Sequence, residues 1–311
     1  MQTLIRMGLI VGLTLASRCV IAADLLLQPI RIAPDVYAVI GDLGGQRYDN
    51  DGLNNNLGFV VGTDGVLVIN AGPSTRGAEA LHAAIKRTTP KPIKWVVNVN
   101  AQSHYWLGND YFKRLNIPIL AHSAASRRMQ EVGTGQLQAA QTLLKEKAAA
   151  SALALPSETL GDKRTLQLGR TKIELLHFGP AHTAGDLVVW LPEQKILFAG
   201  DIVFTQRLLG VIPDGNSGGW IKAFDQAMAL KPRILVPGHG KPTDIKTATR
   251  DTRDYLVSLR SAAQAVLAKN GSLQDAVEKT DQSKFKYLLN FDLLAKRNMN
   301  QVFTEMEQES F

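Results

Sequence analysis

Short apolar runs broken by glycine-containing turns dominate the first third of the chain. Val36–Ile40, Leu57–Val61 and Val66–Ile69 read as strands. Thr63-Asp64-Gly65 between the last two marks a hairpin turn. The pattern then changes period. Ala78, Leu81, Ala84 and Ile85 recur at three-to-four spacing and predict a helix over residues 74–88. A buried strand follows over 94–99, then a short helix over 110–115 and a strand over 117–120. Residues 123–155, rich in Ala, Gln, Leu and Lys, predict one or two surface helices.

After Pro156 the strand pattern returns, over 164–168, 171–178, 186–191 and 195–199. A helix over 220–230 and a strand over 233–236 come next. From Asp244 onward the chain reads as mostly helical. Tyr255, Leu256, Leu259, Ala263, Val266 and Leu267 share one face. Asn270-Gly271 stops that helix, and Ser272 caps the next. Strands and helices alternate in two halves, each opening on hairpin-like strands. This pattern predicts a layered α/β domain with mixed sheets and a helical tail.

Composition adds limits. The chain has 311 residues, 45% hydrophobic and 20% charged, which suits a globular protein with a substantial core. The first 22 residues carry Arg6, an apolar stretch over 7–16, and Val20-Ile21-Ala22 before Ala23. That is the layout of a cleaved secretory signal, so a periplasmic location is expected, without stable membrane insertion. Retention as an anchor, or lipidation at Cys19, are the alternatives. Cys19 is the only cysteine, so the mature chain would hold neither a disulfide nor a thiolate ligand. The formal charge of +7 is scattered, with no dense basic run, which argues against nucleic-acid binding.

Candidate chemistry lies at the ends of apolar runs. His182 sits in Gly179-Pro-Ala-His-Thr-Ala-Gly-Asp186, Asp201 closes Lys195-Ile-Leu-Phe-Ala-Gly-Asp201, and His239 closes Arg233-Ile-Leu-Val-Pro-Gly-His239. Three ligand-type residues, each after a strand and near glycine, suggest loops converging on a metal site at one sheet edge. The other histidines have plainer readings. His82 reads as a solvated helix residue, His122 as a cap or packing residue, and His177 as a core residue or support to the site. Arg47, Tyr48 and Asp49, in the polar loop over 42–56, are candidates for substrate contacts.

The segments His182-Thr-Ala-Gly-Asp186, Phe198-Ala-Gly-Asp201 and Pro237-Gly-His-Gly240, with the opening Asn56–Gly72, resemble the metallo-β-lactamase superfamily of metallohydrolases. The likeness runs from about residue 36 to 245. It implies an αββα sandwich over residues 23–245, with 246–311 as a C-terminal helical extension packed on it. The superfamily's usual His-x-His-x-Asp-His segment precedes Gly-Asn. Here the corresponding stretch is Asn100-Ala-Gln102-Ser-His104-Tyr105 before Gly108-Asn109. Asn100 and Gln102 replace the first two histidines, His104 stands at the aspartate and Tyr105 at the third histidine. Asn70 replaces a common aspartate.

A carboxamide is a weaker zinc ligand than imidazole. The resemblance therefore implies a single metal held by His104, Asp201 and His239, with His182 as a fourth ligand or proton carrier. Zinc is expected first, with iron or manganese as alternatives. Tyr105 and His182 are the catalytic candidates, and Asn100 and Gln102 are expected to orient substrate. The implied reaction is attack by metal-bound hydroxide on an ester, thioester, lactone or related acyl bond of a small-molecule substrate. β-Lactam cleavage fits less well, because the His-rich segment is replaced. The signal segment, the altered motif and the tail resemble the periplasmic quinoprotein relay system zinc metallohydrolases, related to sulfur oxidation. That likeness implies association with a quinoprotein dehydrogenase system. Two other classes stand beside it: a metal-poor scaffold binding a quinone cofactor or redox partner, and an iron-dependent oxygenase of the same fold.

Overall fold

The computed structural model describes residues 25–309. The signal-like segment expected over residues 1–22 lies outside them. Among the described residues, twelve strands form two sheets. The first is built from β1 (Ile30–Ala33), β2 (Val36–Val39), β3 (Leu57–Val61), β4 (Val66–Ile69), β5 (Ile93–Asn98), β6 (Ile119–His122) and β7 (Glu158–Leu160), in that spatial order. The second runs β12 (Ile234–His239), β11 (Ile196–Phe204), β10 (Val188–Leu191), β9 (Thr171–Leu176), β8 (Lys163–Leu168). Antiparallel hairpins open each sheet. Parallel pairings close them, from β4 through β7 in one and between β11 and β12 in the other.

Alternation within the strands sorts side chains into separate layers. In β4, Leu67 and Ile69 enter the core between the sheets, while Val66 and Val68 meet the helical layer outside. In β11, Ile196 and Phe198 face the other sheet, and Leu197 and Ala199 face helices. Strands buried on both faces read as unbroken apolar runs. Burying each Val, Leu or Ile contributes roughly 1.5–3 kcal/mol. Helix α1 (Thr75–Thr88) covers the first sheet, N-capped by Ser74, whose side chain accepts the Gly77 N–H. Two short helices, α2 (Ser103–Trp106) and α3 (Asn109–Arg114), follow β5, and α4 (Ser123–Leu144) follows β6.

On the other side, α5 (Ser217–Ala229), α6 (Ile245–Ala248), a π-helical turn (Thr249–Arg253), α7 (Asp254–Leu267), α8 (Leu273–Lys279) and α9 (Phe291–Glu309) cover the second sheet. Ser272 caps α8 in a full capping box with Asp275. The mixed α/β layering and the C-terminal helical region agree with the sequence expectation. No helix among the described residues is long and apolar enough to cross a membrane.

Some elements differ from the sequence reading. β1 and β7 are edge strands of four and three residues, too short to stand out as periodic runs. α2 is four residues long and is held by tertiary bonds rather than propensity. β11 does not end near Ala199; it continues to Phe204. Gly200 adopts a left-handed φ of 51°, and the register with β12 shifts on both sides of it. This bulge keeps Asp201 inside the strand while turning its carboxylate out of the regular alternation.

Candidate metal centre

The carboxylate of Asp201 is the hub of the site. It is 1% exposed. Tyr105 donates its hydroxyl to Oδ1 at 2.5 Å, and His239 Nε2 lies 3.3 Å from the same oxygen. Asn100 Nδ2 donates to Oδ2 at 3.3 Å, and His182 Nε2 stands 3.6 Å from it. Burial alone would raise this carboxyl, but His239, His182 and His104 outweigh it and hold it below the usual carboxylate range. One ligand atom each from His104, Asp201 and His239 lies within 4.8 Å of the others. His182 touches Asp201 but stands beside this group of three.

Each side chain is placed by local structure. His104 and Tyr105 ride on α2, whose chain is pinned by the Ala71 N–H to the Tyr105 carbonyl at 2.8 Å. Trp106 adds bonds from its indole N–H to the Ala101 carbonyl and to Gln136 Oε1. His239 ends β12. Its Nδ1–H donates to the Asn54 carbonyl at 2.5 Å, since a carbonyl can only accept. In the neutral ring this leaves the Nε2 lone pair facing Asp201. Phe204 stacks on His239 at 4.7 Å between ring centroids, and Trp220 meets His182 edge-on at 4.9 Å. Gly238 is required here: a Cβ would lie 2.6 Å from the Tyr105 hydroxyl and against Asp201 Oδ1.

The donor set fits a divalent cation. His104 Nε2 and His182 Nδ1 are both buried without a hydrogen-bond partner. Burial, with His239 alongside, pushes His104 down to about 3, and burial also lowers His182, so both rings are neutral near pH 7. His239 Nε2 and the ionised Asp201 carboxylate stand 3.3 Å apart. A cation shared by His104, His239 and Asp201 would satisfy the orphaned His104 Nε2 and the buried carboxylate charge.

The remaining predicted residues have other placements. Asn100 was expected to orient substrate. The structure seals it: Oδ1 accepts the Gln102 N–H at 2.7 Å, while Nδ2 donates to Asp186 Oδ1 at 2.6 Å as well as to Asp201. Burial raises Asp186 to about 7, against the opposing bond from the Thr183 N–H. Gln102 is half-buried, with Oε1 3.1 Å from His182 Nε2. Tyr105, expected as a catalytic group for proton transfer or oxyanion bonding, is fully buried with its hydroxyl on Asp201, and burial and then Asp201 push its phenol well up. In the loop over 42–56, Arg47 pairs with Asp42 at 2.6 Å and Tyr48 bonds to Glu146. Lys147 lies 4.0 Å from the Tyr48 ring centroid, so these contacts pin the loop to the segment after α4. His82, read as solvated, bonds Tyr111 through Nδ1 at 2.9 Å.

Two features escaped the sequence reading. Arg207 Nη1 donates to the Gly44 carbonyl at 3.0 Å and lies 3.4 Å from His239 Nδ1, while its Nε is buried without a partner. The only signal was a lone cation between the apolar runs ending at Phe204 and starting at Leu208. The run Asn54-Asn55-Asn56 is buried throughout. Besides the Asn54 contact, Asn56 Nδ2 donates to the Pro237 and Gly240 carbonyls at 2.8 and 2.6 Å, bracing both sides of His239.

With this geometry in place, comparison with known proteins names the family. The model of the metallo-beta-lactamase superfamily matches residues 50–239. The chain belongs to the metallo-β-lactamase superfamily. A type 2 metallo-beta-lactamase from Pseudomonas aeruginosa is 33% identical over 105 residues, which is 33% of this chain and 42% of that one. The alpha subunit of a 2,4-dinitroanisole O-demethylase from Nocardioides sp. is 24% identical over 192 residues, covering 61% of this chain and 53% of the relative. An acyl-coenzyme A thioesterase from Gallus gallus is 31% identical over 88 residues, covering 27% of this chain and 31% of the thioesterase. The chain thus spans about half or less of the length of these curated relatives.

Solved structures share the fold. A metallo-beta-lactamase from Pontibacter korlensis superposes with a TM-score of 0.61 at 22% identity, covering 74% of this chain and 99% of that one. A stereoselective inverting sec-alkylsulfatase from Pseudomonas sp. gives 0.68 at 17% identity, covering 89% of this chain and 50% of the sulfatase.

Proposed function

We propose that this protein is a metal-dependent hydrolase of acyl bonds, with one ion held by His104, Asp201 and His239. The observation that carries the reading is the convergence of two imidazoles on a buried ionised carboxylate, one of them with an unpartnered Nε2. Zinc suits this set best, with iron or manganese as alternatives. A bound ion supplies Lewis acidity and an ionisable water at neutral pH.

The protein's own groups supply the rest. Tyr105 and Asn100 fix the Asp201 carboxylate by hydrogen bonds. Asn54 fixes the tautomer of His239. His182, with Nε2 beside Asp201 and Gln102, is the candidate proton carrier. Arg207, half-exposed beside His239, offers a fixed cation to an anionic part of the substrate or to developing oxyanion charge.

The substrate class in this reading is a small ester, thioester or lactone. The named thioesterase relative favours testing thioesters early. Periplasmic export of a chain beginning at Ala23, and service to a quinoprotein dehydrogenase system, rest on the N-terminal pattern and the motif. Residues 246–311 are read as an extension of the catalytic domain. The test is metal analysis of protein purified from the periplasm, with a hydrolysis screen on p-nitrophenyl esters, acyl-coenzyme A thioesters and lactones. One ion per chain and an activity that falls at least 100-fold in both His104→Ala and Asp201→Ala are expected. A full complement of metal with no hydrolysis of any acyl bond would overturn the reading.

A further inference from the structure

A second group of ligand-type side chains lies outside the Asp201 site. His122 ends β6, His177 follows β9, and Asp162 occupies the turn between β7 and β8. One ligand atom from each lies within 4.8 Å of the other two. The imidazoles stack, with centroids 3.9 Å apart and planes 17° from parallel, so one ring must turn about its Cβ–Cγ bond before both in-plane lone pairs meet a single ion. His122 Nε2 is 3.8 Å from Asp162 Oδ1. That is too long for a hydrogen bond, yet shorter than two zinc–ligand bonds of roughly 2.0–2.2 Å laid end to end.

The surroundings prepare the ligands unequally. His177 Nδ1–H donates to the Asp186 carbonyl at 2.8 Å, which fixes the tautomer and leaves the Nε2 lone pair available. Ligating histidines are usually oriented by such a bond. The His177 N–H also donates to the Asp162 carbonyl at 2.8 Å, holding that turn against the end of β9. His122 Nδ1 accepts the Ala124 N–H at a long 3.3 Å, capping α4. In the neutral ring that bond puts the proton on Nε2, so an ion bound there displaces it at the cost of a weak cap. The Asp162 side chain is 84% exposed, which leaves the remaining coordination positions open to water.

We propose that His122, Asp162 and His177 bind a divalent transition-metal ion of the zinc, cobalt and nickel class, at a site distinct from the Asp201 centre. β6 belongs to the seven-stranded sheet and β9 to the five-stranded one. The ion therefore ties the two sheets together at their lateral edge, and its role is structural rather than catalytic.

The experiment uses the full chain carrying Asp201→Ala, which removes the shared carboxylate of the other centre. After chelation and dialysis it is titrated with Co²⁺, read by visible absorption and metal content. One equivalent is expected to remain bound, and Co²⁺ is expected to raise the melting temperature. Adding His122→Asn, which keeps a capping oxygen, or Asp162→Asn at the exposed turn should weaken binding at least tenfold. Loss of all Co²⁺ in Asp201→Ala alone overturns the proposal, as does unchanged affinity in both double variants. In chains with Asp201 intact, His122→Asn should retain the equivalent at the other centre. Failure of the hydrolase reading is thereby separable from failure of this one.

Discussion

Tyr105 shows how a single residue is read differently once its neighbours are known. Its phenol donates to Asp201 Oδ1 at 2.5 Å, and it has no exposed surface. Its work is to hold the carboxylate ionised and aimed. Tyr105→Phe leaves one carboxylate oxygen short of a donor in a buried setting, which costs about 1–3 kcal/mol. The expected result is a lower urea midpoint, with metal affinity reduced roughly 10- to 100-fold, as for losses of groups that orient ligands. Equilibrium dialysis beside urea unfolding checks both. Candidate residues at 104, 182, 201 and 239 were recognisable from ligand chemistry after apolar runs and from the resemblance. Arg207 and Asn54 were not, because a lone cation and a backbone carbonyl carry no pattern until the chain is folded.

Among the elements, β11 and α4 carry the clearest lessons. The bulge at Gly200 places Asp201 within a strand, and the π-helical turn then clamps the strand's end. Thr252 Oγ1 donates to the Phe204 carbonyl at 2.6 Å, and Asp251 Oδ2 accepts the Gln206 N–H at 3.1 Å. The C-terminal region thus fixes the segment bearing Arg207, a link between elements far apart in sequence.

At the start of α4, burial and the neighbouring His177 push His122 down to about 4. The unfolded chain takes up this proton near pH 6.5, before the folded one does. Stability is therefore full above pH 6.5 and is lost as pH falls toward 4, by on the order of 2 kcal/mol. In chelator-treated protein, His122→Asn should flatten the fall in urea midpoint over this window, because asparagine caps without titrating. An equal slope in both proteins would count against this origin.

At the scale of the molecule, two sheets packed face to face bring the ends of β5, β11 and β12 to one edge. Binding of metal to the folded chain alone stabilises it by linkage, about 2.7 kcal/mol when free metal stands at 100 times Kd. Chelation should lower the melting temperature by roughly 3–6 °C for a chain of this size. Calorimetry with and without added zinc checks this, and an unchanged transition would show that no ion contributes to stability.

What the sequence determined by itself was the order of the long apolar elements, the helical tail and the residues chemically able to hold a metal. Those properties are local: side-chain period, turn residues and donor type are written in consecutive positions. Tertiary structure alone decided which donors meet, that Asn100 and Tyr105 turn inward to Asp201, and that His122 stacks on His177. Such contacts join residues from different strands and sheets, and their geometry follows from packing and bulges rather than from any local pattern.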